Sequence, residues 1–158
     1  MGIGVPGAGK TTALKALAEK YGYIYISPDD IRKELLGDAA GQSKNKEVWR
    51  EADRRMVEAL RNGEGVVVDG AFADHKQRRE FIAFAKQNGA ERVEGIFMDT
   101  PLEIAKERNR GRDRKVPEYA IDRMEQGIRA FPPRIDDGFD EMFVLDESHR
   151  LKEVFMAK

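Results

Sequence analysis

The 158-residue chain contains no cysteine, which excludes disulfides, thiolate-bound metals and a cysteine nucleophile. Its only histidines are His75 and His149, too few for a histidine-ligated metal site of the usual kind. No N-terminal apolar run resembles a signal peptide, and no stretch is long enough to span a bilayer. The expected location is therefore cytoplasmic, without membrane partners. A net charge of one sign is missing too. The 28 Lys and Arg residues nearly cancel 29 Asp and Glu, leaving −1. A globally basic nucleic-acid binder is not indicated, so any anionic ligand must be met by a local patch. The length suits one compact domain, residues 1–158, able to bury roughly two-thirds of its unfolded surface.

What the chain does have stands at its start. Gly4-Val5-Pro6-Gly7-Ala8-Gly9-Lys10-Thr11 matches the phosphate-binding loop, G-x-x-x-x-G-K-[ST], at every required position. Gly4, Gly7 and Gly9 permit backbone angles that a Cβ disfavours. The loop's N–H groups, from Gly7 through Ala8 to Thr12 and following Pro6, then cradle phosphate oxygens. Lys10 would reach the β- and γ-phosphates of ATP, and the Thr11 hydroxyl would ligate Mg²⁺. The helix that follows, with Leu14, Leu17 and Ala18 on one side, aims its positive end at the anion. Only Met1-Gly2-Ile3 precede the loop, so the strand feeding it is expected to be short.

Downstream, apolar runs alternate with amphipathic helices. The pattern predicts an α/β fold of the P-loop NTPase type, three-layer α/β/α with about five parallel strands. Tyr23–Ile26, Gly65–Asp69, Val93–Asp99 and Glu141–Leu145 read as strands, and a final helix is expected from about Ser148. Ser27-Pro28-Asp29-Asp30 and Thr100-Pro101-Leu102-Glu103 read as helix starts, as does Asp74 with Gln77. A polar loop is expected from Asp38 to Asn45. Trp49 reads as core or edge packing, His75 as a surface residue, and Asp136, Asp137, Asp140 and Glu141 as a solvated turn.

Ligands in such sheets bind beyond the carboxyl ends of the strands, where Asp29, Asp69 and Asp99 fall. Asp29 and Arg32, three residues apart on one helix, suit an acceptor carrying a hydroxyl and a phosphate. Asp29 would orient the hydroxyl and accept its proton. Asp69 ends an apolar strand, where P-loop proteins hold Mg²⁺ through an acidic residue. Lys106 to Val116 carries six basic residues around Gly111 and reads as a lid at about 106–116 that closes on ATP.

With these residues in place, the chain resembles the 5′-kinase domain of the polynucleotide kinases, from the loop to about Met124. The resemblance rests on Gly4–Thr11, Asp29-Asp30-Ile31-Arg32, Val67-Val68-Asp69, Arg78-Arg79, and Arg108-Asn109 through Arg112 to Val116-Pro117. It implies an adenylate-kinase-like fold and transfer from Mg-ATP to the 5′-hydroxyl of DNA or RNA, with roles in nucleic-acid repair. Asp29 would be the general base, Arg32 the contact to the acceptor's 3′ phosphate, and Arg112 the contact to the ATP phosphates. Arg108 would join the ATP site, and Asp69 and Arg78 the acceptor site. The lid register leaves Arg110 and Arg114 as alternatives to Arg112. Gly70-Ala71 replaces the more usual polar pair after Asp69, and no phosphatase or ligase domain lies within these residues. Two other readings stay open: a kinase of a small hydroxylated metabolite, nucleoside or nucleotide, and a nucleotide-binding ATPase that is no kinase.

Overall fold

The computed structural model describes residues 1–37 and 45–158. The expected polar loop at Asp38 to Asn45 thus lies outside the described residues, except for Asn45 itself, which opens a helix. The chain runs β1 (Gly2–Ile3), α1 (Lys10–Tyr21), β2 (Ile24–Ile26), α2 (Pro28–Leu36), α3 (Asn45–Arg61) and β3 (Val66–Val68). It continues through α4 (His75–Gln87), β4 (Glu94–Met98), α5 (Leu102–Arg110), α6 (Glu118–Ala130), a 3₁₀ turn (Ile135–Asp137), β5 (Glu141–Leu145) and β6 (Leu151–Met156).

Strands β1, β4 and β5 lie side by side in parallel, while β2 pairs in parallel with β3. The two groups meet where Gly4 N–H donates to the Ala71 carbonyl at 3.0 Å. The β1-β4-β5-β6 sheet, in which β6 runs antiparallel to β5, is thus tied to the β2-β3 pair just beyond β1. The expected five parallel strands are present. The expected last helix is not: Leu151–Met156 forms the antiparallel edge strand β6. Its Leu151, Val154, Phe155 and Met156 are exposed, and the β-branched Val154 and aromatic Phe155 favour an extended chain. The tight turn before it is organised by Asp146, whose carboxylate accepts from the amides of Ser148 and Arg150.

The period-2 alternation of a strand divides the core between two faces. Val67 packs with Leu14 and Ala18 of α1. Val66 and Val68 point the other way, toward Val48, Ala52 and Met56 of α3 and Ile82 and Ala85 of α4. A further cluster joins Val5 and Ala8 of the loop to Met98, Ala105, Ile121 and Ile128, which seats α5 and α6 beside the loop.

Helix starts follow the predicted chemistry at two of three places. Ser27 accepts from Asp30 N–H with Pro28 at the first helical position, and Asp74 accepts from Gln77 N–H. Thr100 does not cap α5. Its hydroxyl donates to the Ala8 carbonyl at 2.8 Å, pinning the phosphate loop to the end of β4. Helices α2 and α3 are tied by Arg55, which bridges Glu34 and Glu51.

Arg78 does not face the acceptor as expected. It is completely buried. Its guanidinium donates to Asp137 Oδ2 at 2.7 Å and to the carbonyls of Phe72, Ala73 and Phe131. With every nitrogen engaged and no exposed surface, it is a cross-brace between α4, the 3₁₀ turn and the segment after β3. The acidic residues expected as a solvated turn are part of this bracing. Asp137 holds Arg78, and Asp140 accepts from Val93 N–H and pairs with Lys86. His75 lies half-buried, stacked on Phe131 at 4.2 Å.

Removing a partner from a buried ion pair costs about 3–5 kcal/mol. Arg78→Met is expected to lower stability by that amount in urea titration while leaving nucleotide affinity within twofold. A loss of nucleotide affinity without loss of stability would return Arg78 to the binding site.

Candidate active site

The phosphate loop bends sharply between β1 and α1. Gly7 (φ +83°) and Gly9 (φ +100°) occupy the left-handed region. At Gly7 a Cβ would also sit 2.1 Å from the Ala105 carbonyl oxygen, so α5 packs directly on the loop backbone. At the end of the loop Lys10 is buried and folded back, its Nζ donating to the carbonyls of Gly4 and Val5 at 2.8 Å each. Burial lowers the Lys10 pKa to about 8, against the attraction of Asp69; Arg112 adds a repulsive contribution in the same direction as burial. Arg112 is thus near enough to Lys10 for their charges to repel.

Thr11 Oγ1 donates to Asp69 Oδ2 at 2.6 Å. This brings together the two residues expected to serve Mg²⁺, from α1 and from the end of β3. The donor set fits a magnesium ion. With its one hydrogen given to Asp69, the Thr11 hydroxyl keeps both lone pairs free. The second Asp69 oxygen has no protein donor among the described residues. No cluster of three or more His, Asp or Glu that could hold a metal exists among the described residues. A cation here would rely on nucleotide phosphates and water, as Mg²⁺ commonly does.

On the other side of the mouth, α2 presents Asp29 and Arg32. Arg32 Nη1 donates to Asp29 Oδ1 at 2.7 Å and Nη2 to Asn45 Oδ1 at 2.6 Å. Arg32 is 7% exposed, and its Nε has no hydrogen-bond partner among the described residues. Arg114 Nη1 also donates to Asp29 Oδ1.

The basic segment divides by helical phase. Residues 106–110 belong to α5, so the irregular part begins at Gly111. Lys106 pairs with Asp122 and Arg110 with Glu118, both on α6 and away from the loop, one helical turn apart. Arg108 lies on the opposite face, against Gly9, and donates to the Glu147 carbonyl at 3.0 Å. The buried Asn109 clamps the base of the excursion by exchanging two hydrogen bonds with the Val116 backbone. The alternatives for the lid arginine thus separate. Arg108 lies against Gly9, Arg112 acts electrostatically on Lys10, Arg114 reaches Asp29, and Arg110 pairs with Glu118.

Two residues of the site carried no readable signal in the sequence. Tyr25 Oη donates to Asp69 Oδ2 at 2.6 Å. Burial, and then the bond to Asp69, push the Tyr25 phenol well above its usual range. His149, expected in a helix, adopts φ +63° in the β5–β6 turn. Its Nε2 would lie 2.8 Å from a Cβ on Gly9. A motif search finds neither, because each is placed by a strand register or a turn. Trp49 packs edge-on against Phe72 at 5.6 Å, in keeping with its expected packing role.

The state of Lys10 sets a pH dependence. Polyphosphate binding favours the charged amine. Below about pH 8 the free protein already carries that charge, whereas above it binding must take up a proton. ATP affinity is expected to hold below pH 8 and to fall above it, by up to about tenfold per pH unit. Calorimetry in buffers of differing ionisation heat checks the proton uptake. Lys10→Met should lose both the affinity and its pH dependence. A flat profile from pH 7 to 10 would contradict the assignment.

No helix among the described residues is long and apolar enough to cross a membrane. The AAA domain family matches residues 1–131. A shikimate kinase of Persephonella marina is 33% identical over 120 residues, covering 72% of this chain and 68% of that protein. A putative bifunctional polynucleotide phosphatase/kinase of Acanthamoeba polyphaga mimivirus is 30% identical over 107 residues, 68% of this chain. The chain spans only 22% of that viral protein and 16% of the bovine adenylate kinase isoenzyme 5 that it also matches. Among solved structures, a chain of the Pnkp1/Rnl/Hen1 RNA repair complex superposes with a TM-score of 0.71 at 18% identity. That match covers 82% of this chain and 43% of the other. The shikimate kinase of Bacteroides thetaiotaomicron gives 0.58 at 19%, covering 92% and 84%. These likenesses accord with the loop, the sheet order and the paired Thr11 and Asp69: the chain belongs to the AAA domain family and is a P-loop kinase.

Proposed function

We propose that this kinase transfers the γ-phosphoryl group of Mg-ATP to a hydroxyl on an acceptor that also carries a phosphate, as a 5′-hydroxyl nucleic-acid end does. The observation that carries the reading is the cluster at Asp29, one carboxylate shared by the guanidinium groups of Arg32 and Arg114. Two cations against one anion leave a surplus positive charge at the acceptor side. The Nε of the buried Arg32, without a partner among the described residues, adds a donor for an acceptor oxygen, since a buried N–H without a partner costs about 1–3 kcal/mol. An acceptor phosphate answers both.

In this reading the phosphate draws the two arginines toward itself and releases Asp29 Oδ1 to the neighbouring hydroxyl. The hydroxyl oxygen attacks the γ-phosphorus, the bond to the ADP oxygen breaks with its electron pair, and Asp29 takes the proton. Lys10, Arg108 and Arg112 neutralise the charge on the phosphates. Thr11 and Asp69 would hold the metal ion, which would supply further neutralisation of phosphate charge.

The second reading is phosphorylation of a small anionic metabolite. It is favoured by the likeness to shikimate kinase and by a net charge of −1. Salt separates the two. Binding of a polynucleotide releases counterions and weakens steeply with added salt, whereas a small acceptor responds little.

The test is transfer from labelled ATP to a panel of 5′-hydroxyl oligonucleotides, 3′-mononucleotides, nucleosides and shikimate-like hydroxy acids, at 50 and 200 mM salt. Oligonucleotide acceptance with a steep salt loss is the expected result. Acceptance of hydroxy acids alone, with no salt effect, would replace it. Asp29→Asn should lower transfer about 10²–10⁴-fold with ATP affinity retained. Arg114→Ala should raise the acceptor KM about ten- to hundredfold without changing the KM for ATP.

A further inference from the structure

We propose that Tyr25 is a positioning residue for metal binding: its phenol hydrogen fixes the Asp69 carboxylate, so that Thr11 and Asp69 present free lone pairs to the divalent cation accompanying the nucleotide. The inference rests on the Mg-ATP reading above.

The geometry begins with strand register. Tyr25 of β2 pairs directly with Val67 of β3, so both side chains emerge on the same face. That is the face against α1, where Val67 and Tyr25 pack with Leu14 and Ala18. Asp69 lies two residues beyond Val67. The Tyr25–Asp69 pair is therefore the diagonal one, within reach of a long aromatic side chain. The ring is held from its open side by Lys15, whose Nζ lies 5.3 Å from the ring centroid. Its hydroxyl donates to Asp69 Oδ2 and lies beside the Thr11 hydroxyl.

The same Oδ2 accepts from Thr11 Oγ1. A threonine hydroxyl has one hydrogen and two lone pairs, and its rotor is free unless something takes the hydrogen. Asp69 takes it, which turns both lone pairs outward. That arrangement holds only while the carboxylate itself is fixed, and a terminal carboxylate torsion is soft. Two donors meeting one oxygen fix it, and they leave the other oxygen for a metal-bound water.

Tyr25→Phe keeps the ring and removes only this hydrogen bond. The experiment measures the affinity for a fluorescent ATP analogue in EDTA and across a Mg²⁺ titration, for wild type, Tyr25→Phe, Asp69→Asn and the double variant. Melting temperatures are recorded alongside. Tyr25→Phe is expected to match wild type in EDTA within twofold and to lose about tenfold of the affinity gained from Mg²⁺, the scale of one charge-assisted hydrogen bond. Turnover should recover at high Mg²⁺, a change in the metal's KM with kcat preserved. The double variant should be no worse than Asp69→Asn. A wild-type Mg²⁺ response in Tyr25→Phe overturns the proposal. So does an equal affinity loss with and without metal, which would mark a packing role. Nucleotide binding that gains nothing from Mg²⁺ in the wild type overturns it while leaving the phosphate loop in place. Absence of nucleotide binding altogether would remove the underlying reading as well.

Discussion

One backbone hydrogen bond, from Gly4 N–H to the Ala71 carbonyl, joins the β2–β3 pair to the strand that delivers the phosphate loop. The site depends on this junction. It brings the end of β3 beside the start of α1, and so Asp69 beside Thr11. It also brings the end of β2 to the loop mouth, where α2 then presents Asp29 and Arg32. The bend that follows is not free. Phe72 takes φ +44°, an uncommon state for a bulky residue. That conformation is held by burial of its ring and by Arg78, which donates to the Phe72 and Ala73 carbonyls. A fully buried arginine thus supports the geometry of the site from below.

Charge is distributed across the mouth in two groups. Lys10 and Arg108 stand at the phosphate loop, with Arg112 near enough to act on Lys10, while Arg32 and Arg114 meet on Asp29. Asn109 closes the base of the segment that supplies Arg112 and Arg114, so one short excursion touches both halves. The proton on Lys10 is the most labile part of this arrangement, because burial has brought its pKa to about 8. Anion binding restores the charge that burial disfavours.

Much of this was legible in the residues. The glycine spacing of the loop, the caps at Ser27 and Asp74 and the alternation of apolar runs anticipated the parallel strands and the helices between them. Asp29 with Arg32 and Thr11 with Asp69 also come together as expected. The failures have specific causes. Thr100 looked like a cap because its neighbours are those of a capping box, but a carbonyl from the loop competes for its hydroxyl. Arg78 looked available because long cations usually are. Its burial depends on Asp137, 59 residues away. The last strand was read as a helix because it follows a turn-rich segment and is too short for periodicity to decide.

The sequence by itself determined the phosphate loop and the helix behind it, because there each residue type answers a local backbone or charge requirement. It also determined which carboxylates end strands. Only the tertiary structure decided which arginine meets which anion, because residues 108, 110, 112 and 114 alternate around a helix end and differ only in where they point. It alone placed Tyr25 on Asp69 and His149 against Gly9, since those contacts follow from strand register and turn geometry. Neither is a property of a short stretch of chain.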